Sequence, residues 1–256
     1  MFSKSRIQIL GLALVTSLLL PQAGFAANTG RITKATVDVQ IVRPEGAVPA
    51  KDGALLNSGD ELRTGPVGTV GFVMSDSAKF AVPSNSSFKI AEYSDRTPST
   101  PARAVYSLIK GAFRTVSGLI GKARDDTYLM QTPVATMGIR GTDYAAVLRK
   151  LGGIKHPDGL YAAVVSGRIW VKNSAGMIDV AAGQIAYVKN EITPPVLITD
   201  AREVFEDAGI NLDASFSLAL EPVAKFKTPK TIERIEPLKI PVVPPSDTPE
   251  PPASPS

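Results

Sequence analysis

Between Gly30 and about Asn190 the apolar residues fall in short runs, many of them alternating, with turn-forming residues roughly every ten positions. Gly30-Arg-Ile-Thr-Lys-Ala35 opens the series, and Val37-Asp-Val-Gln-Ile-Val42 alternates strictly. Gly46, Pro49, Asp52 and Gly53 then mark a turn-rich stretch before Leu55-Leu56. Val70-Gly-Phe-Val-Met74 and Lys79-Phe-Ala-Val82 flank the turn Ser75-Asp-Ser-Ala78, and Ser87 to Tyr93 alternates again. Leu108-Ile-Lys-Gly-Ala-Phe113 predicts a strand broken by Gly111. Leu160 to Val165 and Arg168 to Val171 flank Ser166-Gly167, a two-residue hairpin signal. Met177 to Val180 and Gln184 to Val188 close the series around Ala181-Ala-Gly183. Short strands at this spacing, with no long amphipathic helix between them, predict an all-β unit, an antiparallel sandwich over residues 30–190.

The densest signal is Thr132-Pro-Val-Ala-Thr-Met-Gly-Ile-Arg-Gly-Thr-Asp-Tyr-Ala-Ala-Val-Leu-Arg149. Pro133 lacks an N–H and holds Thr132 extended, so a strand begins here. Val134, Thr136 and Gly138 share one face of that strand, and Ala135, Met137 and Ile139 the other. Gly138 and Gly141 bracket Ile139-Arg140, where a bulge, a left-handed turn or a close backbone approach is expected. Thr142-Asp143 leads into the second apolar run, Tyr144 to Leu148. Arg140 reads in two ways: a cation for an acidic partner, or an internal clamp whose planar fork ties turn carbonyls together, the latter preferred.

This block resembles the core motif of FecR domains, periplasmic sensing modules. Further elements follow in family order: Leu56-Asn-Ser-Gly-Asp-Glu-Leu-Arg-Thr-Gly65, the hairpin around Asp76, Pro83-Ser-Asn-Ser86, Ser166-Gly-Arg-Ile-Trp-Val171 and Ala182-Gly-Gln184. Each is weak alone; order and spacing make the set specific. The resemblance covers about 160 residues and implies a jelly-roll-like β-sandwich that works by binding, with Thr132, Pro133, Gly138, Arg140, Gly141, Thr142 and Asp143 as its structural motif. Family members that control sigma factors carry a cytoplasmic segment before a membrane span. Here six residues precede the apolar run, so that mode of control is not expected.

The N-terminus reads as an export leader over residues 1–26. Lys4 and Arg6 form its basic part and Ile7 to Leu20 its apolar part, too short for a membrane span; Gly24-Phe-Ala26 is a small-x-small cleavage signal. No later segment is apolar enough to cross a bilayer, so the mature chain is expected to be periplasmic or secreted and not membrane-spanning. Loss of Lys4 and Arg6 lowers the formal charge of +4 by two, too near neutral to point to nucleic acid. Cysteine is absent, so the core holds without disulfides.

Beyond the sandwich, residues 191–220 form a short helical extension. Asp200 to Gly209 predicts a helix capped by Asp200, with Glu203 three residues on and Gly209 ending it. Its apolar stripe of Ala201, Val204, Phe205 and Ala208 is expected to pack on the sandwich rather than dock a partner. Residues 221–256 are proline-rich and cannot bury a core; they read as solvated disorder or a recognition segment.

Chemistry is sparse. His156 is the single histidine, in a Lys-His-Pro-Asp-Gly turn, and no Gly-x-Ser-x-Gly elbow occurs. Gly118-Leu-Ile-Gly-Lys122 is too short for a phosphate loop. Asp125-Asp126 reads as a solvated strand approach before a pair of acids or cation ligands. No catalytic residue, cofactor or metal is expected. The expected function is a non-enzymatic envelope module with a sensing, regulatory or assembly role, its partner a cell-envelope protein or glycan; a structural or glycan-associated adhesion module is the alternative. Mass spectrometry of the native N-terminus should find Ala27 as the first residue of soluble protein; an intact Met1 in the membrane pellet would overturn the leader reading.

Overall fold

The computed structural model describes residues 29–95, 101–123, 127–150, 152 and 155–216. The leader, Asp125-Asp126 and the proline-rich tail lie outside the described residues. In chain order the strands are β1 (Gly30–Ala35), β2 (Val39–Arg43), β3 (Gly46–Pro49), β4 (Leu55–Leu56), β5 (Glu61–Thr64), β6 (Val70–Met74), β7 (Lys79–Val82) and β8 (Ser87–Ser94). There follow β9 (Arg103–Val116), β10 (Tyr128–Gln131), β11 (Thr136–Arg149), β12 (Gly159–Asn173), β13 (Gly176–Ala181), β14 (Ile185–Val188) and β15 (Val196–Ile198). Two short helices complete the list, α1 (Ile120–Ala123) and α2 (Arg202–Asp207).

The chain is all-β, one hydrogen-bonded network folded into two layers. Three long strands belong to both. The first layer runs β3-β2-β5-β8, then the first half of β9, β10, the first half of β11, the second half of β12 and β13. The second runs β4-β1-β6-β7, then the remaining halves of β9, β11 and β12, and finally β14 and β15. The bends in β9 and β11 sit at opposite ends of their common ladder, since Gly111 pairs with Leu148 and Val116 with Asp143.

These bends correct three sequence expectations. Gly111 does not break a strand; with φ of +80° it turns β9 from one layer to the other. Ser166-Gly167 is not a hairpin turn, and Arg140-Gly141-Thr142 does not separate two strands. Both are irregularities inside continuous partners, β12 and β11, which pair from Thr136↔Lys172 to Arg149↔Gly159. Left-handed glycines serve turns and bulges alike; the long ladder on either side makes these bulges. The sheet is also not wholly antiparallel: β10 runs parallel to β9.

Alternating side chains of the two layers meet in one core. Phe72 stacks on Phe80 at 4.8 Å and 7°, Phe80 meets Tyr106, and Phe113 meets Tyr144 edge-on at 5.4 Å. Met137, Ile139, Ile169 and Val171 point inward to the same cluster.

A second cluster lies outside the second layer. Ala112, Ala145, Val147, Tyr161, Ala163 and Ile185 form its floor, and Ala201, Val204, Phe205 and Ile210 its cover. The helical stripe therefore packs on the sandwich as the pattern predicts. Burial of Phe205 contributes about 1.5–3 kcal/mol. Asp200 does not cap; Ala201 holds the N-cap place and makes no side-chain hydrogen bond. The C-terminus ends as a Schellman motif: Ile210 N–H donates to the Phe205 carbonyl and Gly209 N–H to that of Glu206, with Gly209 at φ of +79°. The segment after residue 190 also supplies a strand, β15, paired with β14.

Four tyrosines are fully buried, among them Tyr106, Tyr128 and Tyr144. Burial holds the phenols of all three above their ordinary value near 10. Unfolded chains lose these protons above about pH 10 while the folded protein keeps them, so their contribution is intact below that pH and declines above it. Thermal melts between pH 8 and 11 should fall steeply at the alkaline end, and Tyr106→Phe should lessen the fall; an unchanged slope would contradict the burial effect.

Candidate binding face

The motif residues occupy the bent end of the β11–β12 ribbon and the turn before it. In that turn Thr132 N–H and Oγ1 both donate to the Ala135 carbonyl, at 2.9 and 2.8 Å. Its Oγ1 also accepts from Ala135 N–H at 3.0 Å and, more weakly, from Val134 N–H. The hydroxyl satisfies donors that Pro133, exposed at the corner, leaves without a ladder. The strand proper starts later, at Thr136.

At the bend Gly141 has φ of +58°, the left-handed conformation expected of it, and Gly167 opposite has +84°. A Cβ on Gly167 would lie 2.5 Å from the Gly141 carbonyl oxygen, so the two backbones touch. Thr142 is buried between them. Its Oγ1 donates to the Arg168 carbonyl at 2.7 Å, and its N–H to Ser117 Oγ at 2.8 Å, while Ser117 N–H returns a bond to its carbonyl.

The residues after the bend reach a guanidinium the sequence reading missed. Arg114, 6% exposed, grips Asp143 with two bonds of 3.0 and 2.9 Å. Its Nη1 donates to the carbonyls of Asn211 and Ala214 at 2.6 and 2.9 Å, and the Phe216 ring lies 5.8 Å away. A clamp on loop carbonyls thus exists at Arg114, and Arg140 is exposed. The clue was a charged residue inside the apolar run Ala112-Phe113-Arg114-Thr115-Val116.

Gly138 explains the rest of the motif. It is directly opposite Trp170, and a Cβ there would stand 2.2–2.4 Å from Cε2, Cζ2 and Nε1 of the indole. The ring therefore covers the glycine on the outer side of the first layer. Arg168, Trp170 and Lys172 alternate along β12 and point outward, whereas Ile169 and Val171 are buried. Across the ladder stand Arg140, Gly138 and Thr136 on one side, and Ala181, Asp179 and Met177 on the other. Beside the indole a cleft of about 530 Å³ opens toward the Thr132-Pro133 turn, edged by Leu129, Lys172, Asn173 and Glu191.

The two outer faces thus differ. Helix α2 and the segment after it cover the β9, β11, β12 and β14 part of the second layer. On the first, Arg140, Arg168, Lys172, Gln131, Met177 and Asp179 are exposed.

Elsewhere, a cleft of about 990 Å³ lies between α2 and strands β12, β14 and β15. His156 borders it, 8% exposed, with Nε2 3.5 Å from Glu203 Oε2. Lys155 Nζ meets the same carboxylate at 2.6 Å and, first among the causes, holds its pKa below the ordinary range. These contacts tether the loop to the helix. At Gly118-Leu-Ile-Gly-Lys122 the Ile120 N–H is taken by the Asp76 carboxylate at 3.0 Å. No group of three His, Cys, Asp or Glu arranged for a metal occurs among the described residues.

No family model matches the chain, and no curated protein matches it. Two crystal structures of a "putative anti-sigma factor" from Parabacteroides distasonis ATCC 8503 are similar at 10% identity and a TM-score of 0.41. Each alignment covers 56% of this chain, which spans 61% of theirs. The resemblance to FecR domains rests on the sequence elements above.

Arg114→Ala should destabilise by about 3–5 kcal/mol, because it strands Asp143 and frees two carbonyls. Gly141→Val should cost roughly 1–3 kcal/mol through its positive φ, and Arg140→Ala less than about 1 kcal/mol. Denaturant melts rank the three; Arg140→Ala costing as much as Arg114→Ala would show that Arg140 also acts as a clamp.

Proposed function

We propose that the chain is an exported, non-enzymatic binding module of the cell envelope, and that it engages its partner through the outer face of the first layer. The observation that carries this reading is the asymmetry of the two outer faces. One is partly covered by α2 and by the loop that Arg114 holds, with the His156 cleft at the edge of that cover. The other presents Arg168, Trp170 and Lys172 in a row, the last two lining a shallow cleft. Large aromatic side chains at a rigid, partly exposed surface are characteristic of recognition sites. The face is built on strands rather than mobile loops, which suits a sensing, regulatory or assembly role. His156, the one general acid-base candidate of its kind, is engaged in tethering a loop, in keeping with a protein that binds rather than catalyses.

A photo-crosslinking residue in place of Lys172 should label an envelope component in living cells, and one in place of Glu206 on α2 should not. Equal labelling at both positions, or labelling at Glu206 alone, would overturn the assignment of the face.

A further inference from the structure

We infer that the bare face takes an acidic polysaccharide, with one sugar ring stacked on Trp170 and carboxylate-bearing neighbours held by Arg168 and Lys172. The inference rests on the reading of this face as a binding surface and adds the chemistry of its occupant.

Three observations converge. First, the indole lies against a glycine. Gly138 has no side chain to lift the ring, so Trp170 lies low on the sheet, half-buried, and lines the cleft beside it. The C–H face of a pyranose ring is apolar and flat, and an aromatic surface of this kind removes it from water without demanding a hydrogen bond from the ring. A peptide strand would instead seek unpaired backbone groups. Here β11 and β13 occupy both sides of β12, so its ladder is closed.

Second, the charges flank the ring at regular intervals. Arg168, Trp170 and Lys172 sit at alternate positions of one strand, about 13 Å from first to last at about 3.3 Å per residue. That is the reach of a short run of sugar rings. Neither Arg168 nor Lys172 has an ion-pair partner among the described residues. The planar guanidinium suits a carboxylate and the ammonium a more variable anion. The facing carboxylates are Asp179, across from Trp170 on β13, and Glu191 at the cleft edge. Asp179 lies on the β13 side of the indole, away from β11, whereas Glu191 shares the cleft with Thr136, so an anionic chain is directed from Trp170 toward Gly138 and Arg140 rather than into the Glu191 end of the cleft.

Third, the polar groups around the cleft suit hydroxyl recognition. Lys172 and Thr136 line it beside the apolar Leu129 and Val134, and the Ser174 hydroxyl, which donates to the Glu191 carbonyl, keeps its oxygen as an acceptor. Asn173 is itself fixed, its Nδ2 donating to the carbonyls of Asn190 and Thr193 at 3.0 and 2.6 Å. The wall is therefore rigid before any ligand arrives.

Trp170 is the only tryptophan, so its fluorescence reports on this face directly. Purified mature protein titrated with polygalacturonate should show a saturable change in emission, weakening at least tenfold from low to high salt. Neutral dextran should give at most a weak response. Arg168→Ala combined with Lys172→Ala should weaken binding at least tenfold while the melt stays unchanged. Trp170→Phe, followed by affinity electrophoresis in polygalacturonate gels, should bind less well than wild type, and Trp170→Ala less well again; the Phe variant keeps the test valid if the Ala variant unfolds. The inference fails if polygalacturonate leaves the emission unchanged, or if its binding is indifferent to Trp170. Equal binding of poly-L-glutamate, insensitive to Trp170→Phe, would assign the face to an acidic protein and also overturn it. Crosslinking at position 172 without any response to polygalacturonate would sink the polysaccharide and leave the proposed binding face standing.

Discussion

Backbone meets backbone where Gly141 and Gly167 face each other, and the architecture depends on that contact. A side chain at Gly167 would come within 2.5 Å of the Gly141 carbonyl oxygen, and both residues hold positive φ. A bare position at Gly167 and a left-handed backbone at Gly141 let the two paired strands bend together and cross from one layer to the next. Thr142 then fixes the bend from within, through Arg168 on one side and Ser117 on the other. The two layers are consequently continuous through β11 and β12, and the inward residues on either side of the bend enter one core.

The same bend sets up the difference between the outer faces. Asp143, just past it, receives Arg114, and Arg114 draws the carbonyls of Asn211 and Ala214 across the second layer. A buried guanidinium of this kind is stable only when its donors are satisfied, and here a carboxylate and two carbonyls supply them. Just before the bend, Gly138 leaves room for the Trp170 indole. A motif that reads as one block thus does two jobs, one on each side of the sheet.

Much of the fold is legible in the chain because its causes are local. The hairpin of β6 and β7, the alternation of β8, and the stripe of Ala201, Val204, Phe205 and Ala208 all follow from period and turn chemistry. The bends at Gly111, Gly141 and Gly167 are not legible in the same way. A left-handed glycine ends one strand and kinks another, and the deciding factor is a partner strand far along the chain. Arg114 is similar: Asp143 lies 29 residues away and Asn211 97. The parallel pairing of β10 with β9 leaves no mark on either segment, since hydrophobic alternation carries no direction. Trp170 was visible as a residue, and its seat on Gly138 was not, because that contact exists only in the register of β11 with β12.

The sharing of β9, β11 and β12 between layers bears on how the protein folds. In a sandwich of separate sheets, each sheet can assemble first and the two can dock afterwards. Here neither layer has its full complement of strands until the other exists, because half of each long strand lies in the opposite sheet. Docking and sheet formation become one event, dominated by pairings distant in sequence, which is the topology of a slow and strongly cooperative folder. A proteolytic fragment ending before β11 would lack the centre of both layers at once.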